Sequence, residues 1–374
     1  MKVPFFSFEN VPKSIKRRWL KAIREVVKSG VFVGGEHVGT FEHNFAKKIG
    51  SNYGIGVANG FDALILALKA LEIGEGKKVA VPAHTFIATW LAVERVGATP
   101  IGIDCDSSGV MNIELLKTLD EDIDAVIPVH MHGKMVDMVE LTNWTFPLGI
   151  KVIEDCAQSH GASQGGKFAG SFGDIGAFSF YPTKNLGAIG DAGALVTNDP
   201  NIAKTLSSIR NYGNSLNSKY EYVTKGYNSR LDPIQANVLN INLEHLDKWN
   251  LKRRKIAYRY LEEINFNSIS PLHSKDSNSV WHHFVVLTNL RNELREFLSE
   301  HHIATEIHYP NTAEIAFSKI HPYKREISKN AEKISKSCLS LPLSPWMTSK
   351  EVDYVINCIN EFEKQRIEFG NVKY

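Results

Sequence analysis

The segment Ser179-Phe180-Tyr181-Pro182-Thr183-Lys184-Asn185-Leu186-Gly187 sets one lysine in a turn between a β-like run and a glycine-rich stretch. Upstream, Lys151-Val152-Ile153-Glu154-Asp155 reads as a short buried strand ending in a carboxylate, with Gln158 one turn further on. An amine and a carboxylate so placed can share the work of one cofactor. The amine condenses with an aldehyde, and the carboxylate keeps a pyridine nitrogen protonated so that the ring accepts electrons. Lys184 and Asp155 therefore point to pyridoxal phosphate. Pro182 fixes its own φ and biases Tyr181 toward extended backbone, so Lys184 is expected on a shaped loop and not on a helix face. The phosphate would sit at Asn59-Gly60-Phe61-Asp62-Ala63, where a strand passes into a helix and the first amides point outward. Gly60 would allow close approach there, and Ser179 would add a hydroxyl.

Other chemistries fit less well. Gly54, Gly56 and Gly60 give GxGxxxG, one residue too long for the dinucleotide fingerprint. Gly74-Glu75-Gly76-Lys77-Lys78 lacks the P-loop spacing and hydroxyl. Gly161-Ala162-Ser163-Gln164-Gly165 matches the GxSxG of hydrolases, but Gly166, Phe168 and Gly170 follow where a nucleophile elbow needs a helix. The pairs His282-His283 and His301-His302 are neighbours whose side chains diverge, so no metal site is expected. Cys105, Cys156, Cys338 and Cys358 show neither metal-ligand nor disulfide-framework spacing, which suits a reducing cytoplasm.

The positioning elements read as alternating strand and helix. Residues 53–58, 78–82, 99–104, 124–129 and 151–155 are expected strands, with helices at 62–71 and 86–96. Such alternation predicts a mostly parallel sheet with helices on both faces and ligands beyond the carboxyl ends of the strands, where Asp155 lies. Ile15, Trp19, Ile23 and Val27 recur at helical spacing among basic residues in 13–28, a helix expected to dock on its own domain. Residues 233–264 read as one long connecting helix with Leu239, Leu243, Leu246 and Trp249 on its apolar stripe. Beyond it, strands are expected at 283–287 and 305–308 and helices at 292–300 and 350–363.

A chain of 374 residues suggests two domains at about 150 residues each, here a large cofactor-binding α/β domain at 1–240 and a smaller α+β domain at 241–374. A net charge of +2 implies no field for nucleic acid or an anionic membrane. No apolar run is long enough to span a bilayer, and a cytoplasmic location is expected.

Five ordered segments carry a resemblance. They are Gly56-Val57-Ala58-Asn59-Gly60-Phe61-Asp62-Ala63-Leu64, Val81-Pro82-Ala83-His84-Thr85-Phe86-Ile87-Ala88-Thr89, Ile153-Glu154-Asp155-Cys156-Ala157-Gln158, Ser179 to Lys184, and Gly226-Tyr227-Asn228-Ser229-Arg230-Leu231-Asp232. Over essentially its full length the chain resembles the DegT/DnrJ/EryC1/StrS family of pyridoxal phosphate-dependent nucleotide-sugar aminotransferases. The resemblance implies the aspartate aminotransferase-like (type I) fold and a homodimer with shared active sites. It implies that Lys184 binds the cofactor covalently and shuttles the proton, that Asp155 pairs with the pyridinium nitrogen and that Gln158 bonds the ring hydroxyl. Phe86 would stack on the ring. Gly60, Phe61 and Ser179 would hold the phosphate, with Asn228 lent by the partner subunit. Tyr181, in the lysine segment, is an expected substrate contact, and Arg230, His308 and Tyr309, also lent by the partner, resemble the family's substrate contacts.

The same resemblance implies ping-pong transfer from L-glutamate, through pyridoxamine phosphate, to a nucleotide-linked keto sugar. Sugar dehydratases of the family replace the lysine by histidine, and Lys184 is present. Members acting at C4 commonly carry Ser-Phe-His-x-x-Lys-x-Ile-Thr. Tyr181, Lys184-Asn185-Leu186-Gly187-Ala188 and Gly190-Asp191-Ala192-Gly193 instead resemble members acting at C3. The expected acceptor is a dTDP-3-keto-6-deoxyhexose, giving a 3-amino-3,6-dideoxyhexose for O-antigen, another surface glycan or a glycosylated metabolite. Amination at C4 of a dTDP- or UDP-linked sugar and a cofactor-binding regulator without turnover are the alternatives.

Overall fold

The computed structural model of the protein describes residues 1–215, 218, 220–323 and 328–370. Short runs rich in β-branched and small apolar residues form strands β1 (Tyr53–Val57), β2 (Lys78–Pro82), β3 (Thr99–Ile103), β4 (Ala125–Val126) and β5 (Lys151–Asp155). A hairpin of β6 (Ser163–Gln164) and β7 (Lys167–Phe168) follows, then β8 (Ile175–Ser179) and β9 (Gly193–Thr197). Without the hairpin, these strands make one seven-stranded sheet in the order β1-β9-β8-β5-β4-β2-β3. β9 pairs antiparallel with both neighbours, and the pairs from β8 to β3 are all parallel.

Alternation along the strands divides the core between two faces. Val79, Val81, Ile153, Ala177 and Leu195 pack under the helices Gly60–Ala70, Ala88–Arg95 and Pro200–Ile209. Ala80, Val126, Val152, Phe178 and Val196 point the other way, toward Met138, Leu141, Phe41 and Phe45. The helix Gly60–Ala70 is apolar nearly all round because it is sunk into the first face, with Ala63 to Leu68 buried. That burial fixes its N-terminus at the carboxyl end of the sheet.

The helix Lys13–Ser29 docks on Pro233–Leu243, where Trp19 Nε1 donates to Asn242 Oδ1 at 2.7 Å. Its inward residues include Ile15, Ala22 and Val26, whereas Val27, expected on the apolar stripe, is exposed. The expected long helix at 233–264 is two helices, Pro233–Leu243 and Leu246–Glu263. They break at Glu244 and His245, which Arg18 grips through Nη2 to Glu244 at 2.8 Å and Nη1 to His245 at 3.2 Å.

Downstream, β10 (Ser270–Pro271), β11 (Phe284–Leu287) and β12 (Cys338–Leu341) form an antiparallel sheet packed by the helices Arg291–Glu300 and Ser349–Gly370. The expected strand at 305–308 is only a bridge between Glu306 and Ser340. Val3 belongs to this C-terminal cluster, donating to His302 O and accepting from Ala304 N, each at 2.9 Å.

Candidate active site

Two adjacent parallel strands bring the expected chemistry together. Asp155, the last residue of β5, lies in register with Ala177 of β8, and β8 runs two residues further to Ser179 and the lysine turn. The turn closes through Lys184 N to Tyr181 O at 2.9 Å and is pinned to the sheet by Phe180 N to Ala192 O at 2.8 Å. Lys184 therefore sits on an irregular loop, as the sequence predicts. Among the described residues its amine makes no hydrogen bond or ion pair. Burial pulls its pKa from 10.5 down to about 8, opposed by the charge of Asp155. A fraction of the amine is thus uncharged near neutral pH, as a nucleophile requires.

Asp155 is 6% exposed, and burial pushes its carboxyl above the ordinary value of 3.8. Opposing that shift are the Ala157 N–H at 3.1 Å, the Thr89 hydroxyl at 3.1 Å and the nearby charge of Lys184. Thr89 Oγ1 also meets Thr85 Oγ1 at 3.1 Å. A carboxylate with so few partners retains lone pairs for a cationic ring nitrogen.

The phosphate cradle is built from helix amides. Of the first four, Asp62 N donates to Asn59 Oδ1 at 2.8 Å and Ala63 N to Asn59 O at 3.1 Å, which leaves the Gly60 and Phe61 amides for an anion. The reason for glycine differs from the expected one. A Cβ on Gly60 would stand 2.5 Å from Ser179 Cβ, so the small residue lets Ser179 approach the helix N-terminus. The Ser179 hydroxyl joins the two amides in this way.

Gln158 is 4% exposed and held at both ends of its amide, Oε1 accepting from His132 N at 2.7 Å and Nε2 donating to Tyr309 Oη at 3.2 Å. Tyr309 lies 5.6 Å from the Phe86 ring, which is 54% exposed and free to cover a ligand. Within this chain Tyr309 thus meets Gln158 and Phe86, where the resemblance implied a residue lent by the partner, and the Glu306–Ser340 bridge and a 2.9 Å contact between His308 Nδ1 and Ser340 Oγ hold the segment in place. Burial, then the charge of Lys184, lowers the His308 pKa to about 4.

Among the described residues no hydrogen bond ties Asn228 or Arg230 to the lysine loop. Asn228 is exposed and bridges Asn211, and Arg230 donates to Asn211 Oδ1 at 2.8 Å beneath the Tyr212 ring. Arg230 lines an outer cleft of about 820 Å³ with Tyr212, Tyr220 and Tyr222. Tyr181 is 53% exposed at the rim of the lysine loop.

The sequence assigns no role to His132 or Thr89, and it marks Asn185 only within the run that resembles members acting at C3. His130, Glu154 and Cys156 cluster tightly enough for a metal ion, but the bonds there are already made. Glu154 accepts from Gly170, Phe172 and Gly173 amides and meets His130 Nε2, while His130 Nδ1 accepts from Val136 N. Ser163, of the hydrolase-like motif, lies in the β6–β7 hairpin with Gly165 and Gly166 at its turn and no following helix.

The buried amine, the under-bonded carboxylate, the free helix amides and the open aromatic ring match what pyridoxal phosphate needs. The comparisons agree. The model of the DegT/DnrJ/EryC1/StrS aminotransferase family matches residues 13–360. The chain is 41% identical over 367 residues to dTDP-3-amino-3,6-dideoxy-alpha-D-galactopyranose transaminase of Aneurinibacillus thermoaerophilus, covering 96% of this chain and 99% of that one. It is 38% identical over 370 residues to dTDP-3-amino-3,4,6-trideoxy-alpha-D-glucose transaminase of Streptomyces venezuelae, covering 97% of each. The solved structure of S. venezuelae DesV superposes with a TM-score of 0.91 at 38% identity, over 96% of this chain and 98% of that one.

Proposed function

Since the chain belongs to the DegT/DnrJ/EryC1/StrS aminotransferase family, whose members depend on pyridoxal phosphate, we propose that it moves the amino group of L-glutamate to C3 of a dTDP-3-keto-6-deoxyhexose. The product is a dTDP-3-amino-3,6-dideoxyhexose for O-antigen, another surface glycan or a glycosylated metabolite, made in the cytoplasm. The observation that carries the chemistry is the Lys184 amine, without a hydrogen bond or ion pair among the described residues, on the loop that follows β8 beside the buried Asp155 of β5. The C3 acceptor is supported by the two transaminase relatives named above.

When bound, pyridoxal phosphate supplies the electron sink. Lys184 would hold the group through its aldehyde, and its amine would be the base that takes up and returns the substrate proton. Asp155 would keep the ring nitrogen protonated, Gln158 has one amide hydrogen left that would serve the ring hydroxyl, and Phe86 would cover the face. Gly60, Phe61 and Ser179 hold the phosphate. Tyr181, His308 and Tyr309 face the sugar.

Asn228 and Arg230 complete the partner's site in a homodimer. Their bonds to Asn211, and not to their own lysine loop, support this, as do the exposed Val31, Phe32 and Val33, too apolar for a solvated surface. Functionally, residues 1–240 hold the cofactor and 241–374 close over it.

Lys184→Ala should abolish transfer while leaving the melting temperature of the cofactor-free protein unchanged or higher. Glutamate should change the visible spectrum of the loaded wild type, and an unchanged spectrum counts against an aminotransferase. Supplying 3-keto and 4-keto nucleotide sugars and locating the new amine by NMR tests the acceptor. Preferential amination at C4 overturns that choice.

A further inference from the structure

Asn185, next to the proposed catalytic lysine, is 3% exposed and has its amide fully engaged. Its Nδ2 donates to Asn250 Oδ1 at 2.9 Å and to Val280 O at 3.0 Å, and its Oδ1 accepts from His282 Nδ1 at 3.1 Å. Each partner leads onward to the other half of the site. Asn250 Nδ2 donates to His160 O at 2.8 Å, at the end of the segment that begins with Asp155 and includes Gln158. In the other direction, Val280 N donates to Gly133 O and His282 N to His132 O, both at 3.0 Å. His132 N then donates to Gln158 Oε1 at 2.7 Å.

These bonds form a closed circuit. It runs from the lysine loop through Asn250 to the segment 155–160, and from Gln158 through His132 and the segment 280–282 back to Asn185. The circuit is buried, since Gln158, His132, His160, Asn250 and His282 are all at most 6% exposed. Its fit is tight as well. A Cβ on Gly161 would stand 2.8 Å from Asn250 Nδ2, so the residue after His160 has no side chain where the amide passes. Arg253, one turn further along the same helix, ties its Nη1 to Leu343 O at 2.9 Å and His282 O at 3.3 Å, bracing the circuit from behind.

We infer that Asn185 is a positioning residue for the transfer reaction: as the node of this circuit it holds Lys184 in fixed register with Asp155 and Gln158. The inference rests on the proposed role of Lys184. A primary amide suits the node because it offers two donors and an acceptor in one plane, as the three partners demand. Alanine would leave His282 Nδ1–H, Asn250 Oδ1 and Val280 O without their bonds in a buried place and free the lysine loop to drift. A displacement of the order of 1 Å at a reacting group costs about a hundredfold in rate.

The test uses cofactor-loaded wild type and Asn185→Ala. Three readouts are followed: the pH midpoint of the visible band, the fraction of cofactor that borohydride locks onto Lys184, and the rate of the glutamate half-reaction. Asn185→Ala should shift the midpoint by about half a pH unit or more, lower the locked fraction and slow the half-reaction about 10- to 100-fold. KM for the nucleotide sugar should stay within about twofold, because the node does not face the sugar. A lowered melting temperature with midpoint and rate both within about twofold of wild type would make Asn185 merely structural and overturn the inference.

Should Asn185→Ala not fold, Asn250→Ala removes one of the three bonds, and an unchanged midpoint there overturns the inference equally. The double variant should be no slower than Asn185→Ala alone, as expected for residues of one network. Lys184→Ala separates the two levels: transfer surviving in that variant sinks the functional reading, whatever Asn185 does.

Discussion

Neighbouring carboxylates at the end of β5 have opposite fates. Glu154 points to one face of the sheet, is wholly buried and meets four donors: the Gly170, Phe172 and Gly173 amides and His130 Nε2. Asp155 points to the other face and, among the described residues, accepts only the Ala157 amide and the Thr89 hydroxyl. Both are acids at the end of one parallel strand, so residue type and location do not distinguish them. Satisfaction does. A buried carboxylate whose lone pairs are filled by backbone amides stabilises the loop that fills them. One left under-bonded beside an unpaired amine is poised for a ligand that brings the missing charge.

Isosteric amides break this comparison most directly. Asp155→Asn removes the charge that the cofactor ring nitrogen needs and should lower kcat about 10²- to 10³-fold, the scale for losing one preorganised electrostatic partner. The fold should tolerate it, because burial already disfavours the charged form. Melting of the cofactor-free variant should be unchanged or higher. Glu154→Gln should do the reverse. Oε1 serves the Phe172 and Gly173 amides and Oε2 serves Gly170 and His130, so an amide nitrogen on either side faces two donors. Two unsatisfied buried donors cost about 2–6 kcal/mol, a large share of a total of about 5–15. Urea unfolding separates the pair, and equal destabilisation by both variants would erase the distinction.

Asp155 was legible as a candidate because a run of β-branched residues ended in it. The same kind of signal located residues 78–82 and 151–155 to the residue. Lys184 was legible because Pro182 shapes the loop around it. What separates Asp155 from Glu154 was not legible, since it depends on partners far along the chain: Thr89 is 66 residues from Asp155, and Gly170 is 16 from Glu154. Nor could local pattern show that the helix at 233–264 breaks. The apolar stripe continues through the break, where Glu244 and His245 meet Arg18, more than 200 residues away. The segment that carries His308 and Tyr309 is held by a bridge to Ser340 that has no local signature.

A smaller perturbation sharpens the comparison by taking from Asp155 one of its two bonds. Thr89→Val keeps the shape of the side chain and removes the hydroxyl donated to Oδ2. A hydrogen bond to a charged group is worth about 1.5–3 kcal/mol, so a loss of roughly 10- to 100-fold in kcat is expected. The carboxyl then rises further above its ordinary value, and the ionised form is lost at higher pH. The acid limb of the pH–rate profile should move to higher pH. A profile that drops in height without moving would mean that Thr89 supports Asp155 by shape alone.

The same contrast extends to the imidazoles, where the expected effect is smallest. His130, beside Glu154, has both nitrogens engaged, whereas neither nitrogen of the fully buried His84 has a hydrogen-bond partner among the described residues. Burial lowers the His84 pKa from 6.5 to about 4, helped by the neighbouring His308 and His273 and opposed by Asp104. Between those two values the unfolded chain binds a proton that the folded protein does not, so stability rises with pH through the window and is lost as pH falls through it. The slope from this group is at most about 1.4 kcal/mol per pH unit. His84→Gln should flatten the stability profile between about pH 6.5 and 4 and leave it parallel to wild type above. Disruption of the satisfied ring by His130→Gln should instead lower stability at every pH, since the 3.2 Å contact with Glu154 and the Val136 amide both lose their partner. Parallel profiles for wild type and His84→Gln throughout the acid range would mean that this imidazole is not held neutral, and the contrast between the two faces would then rest on the carboxylates alone.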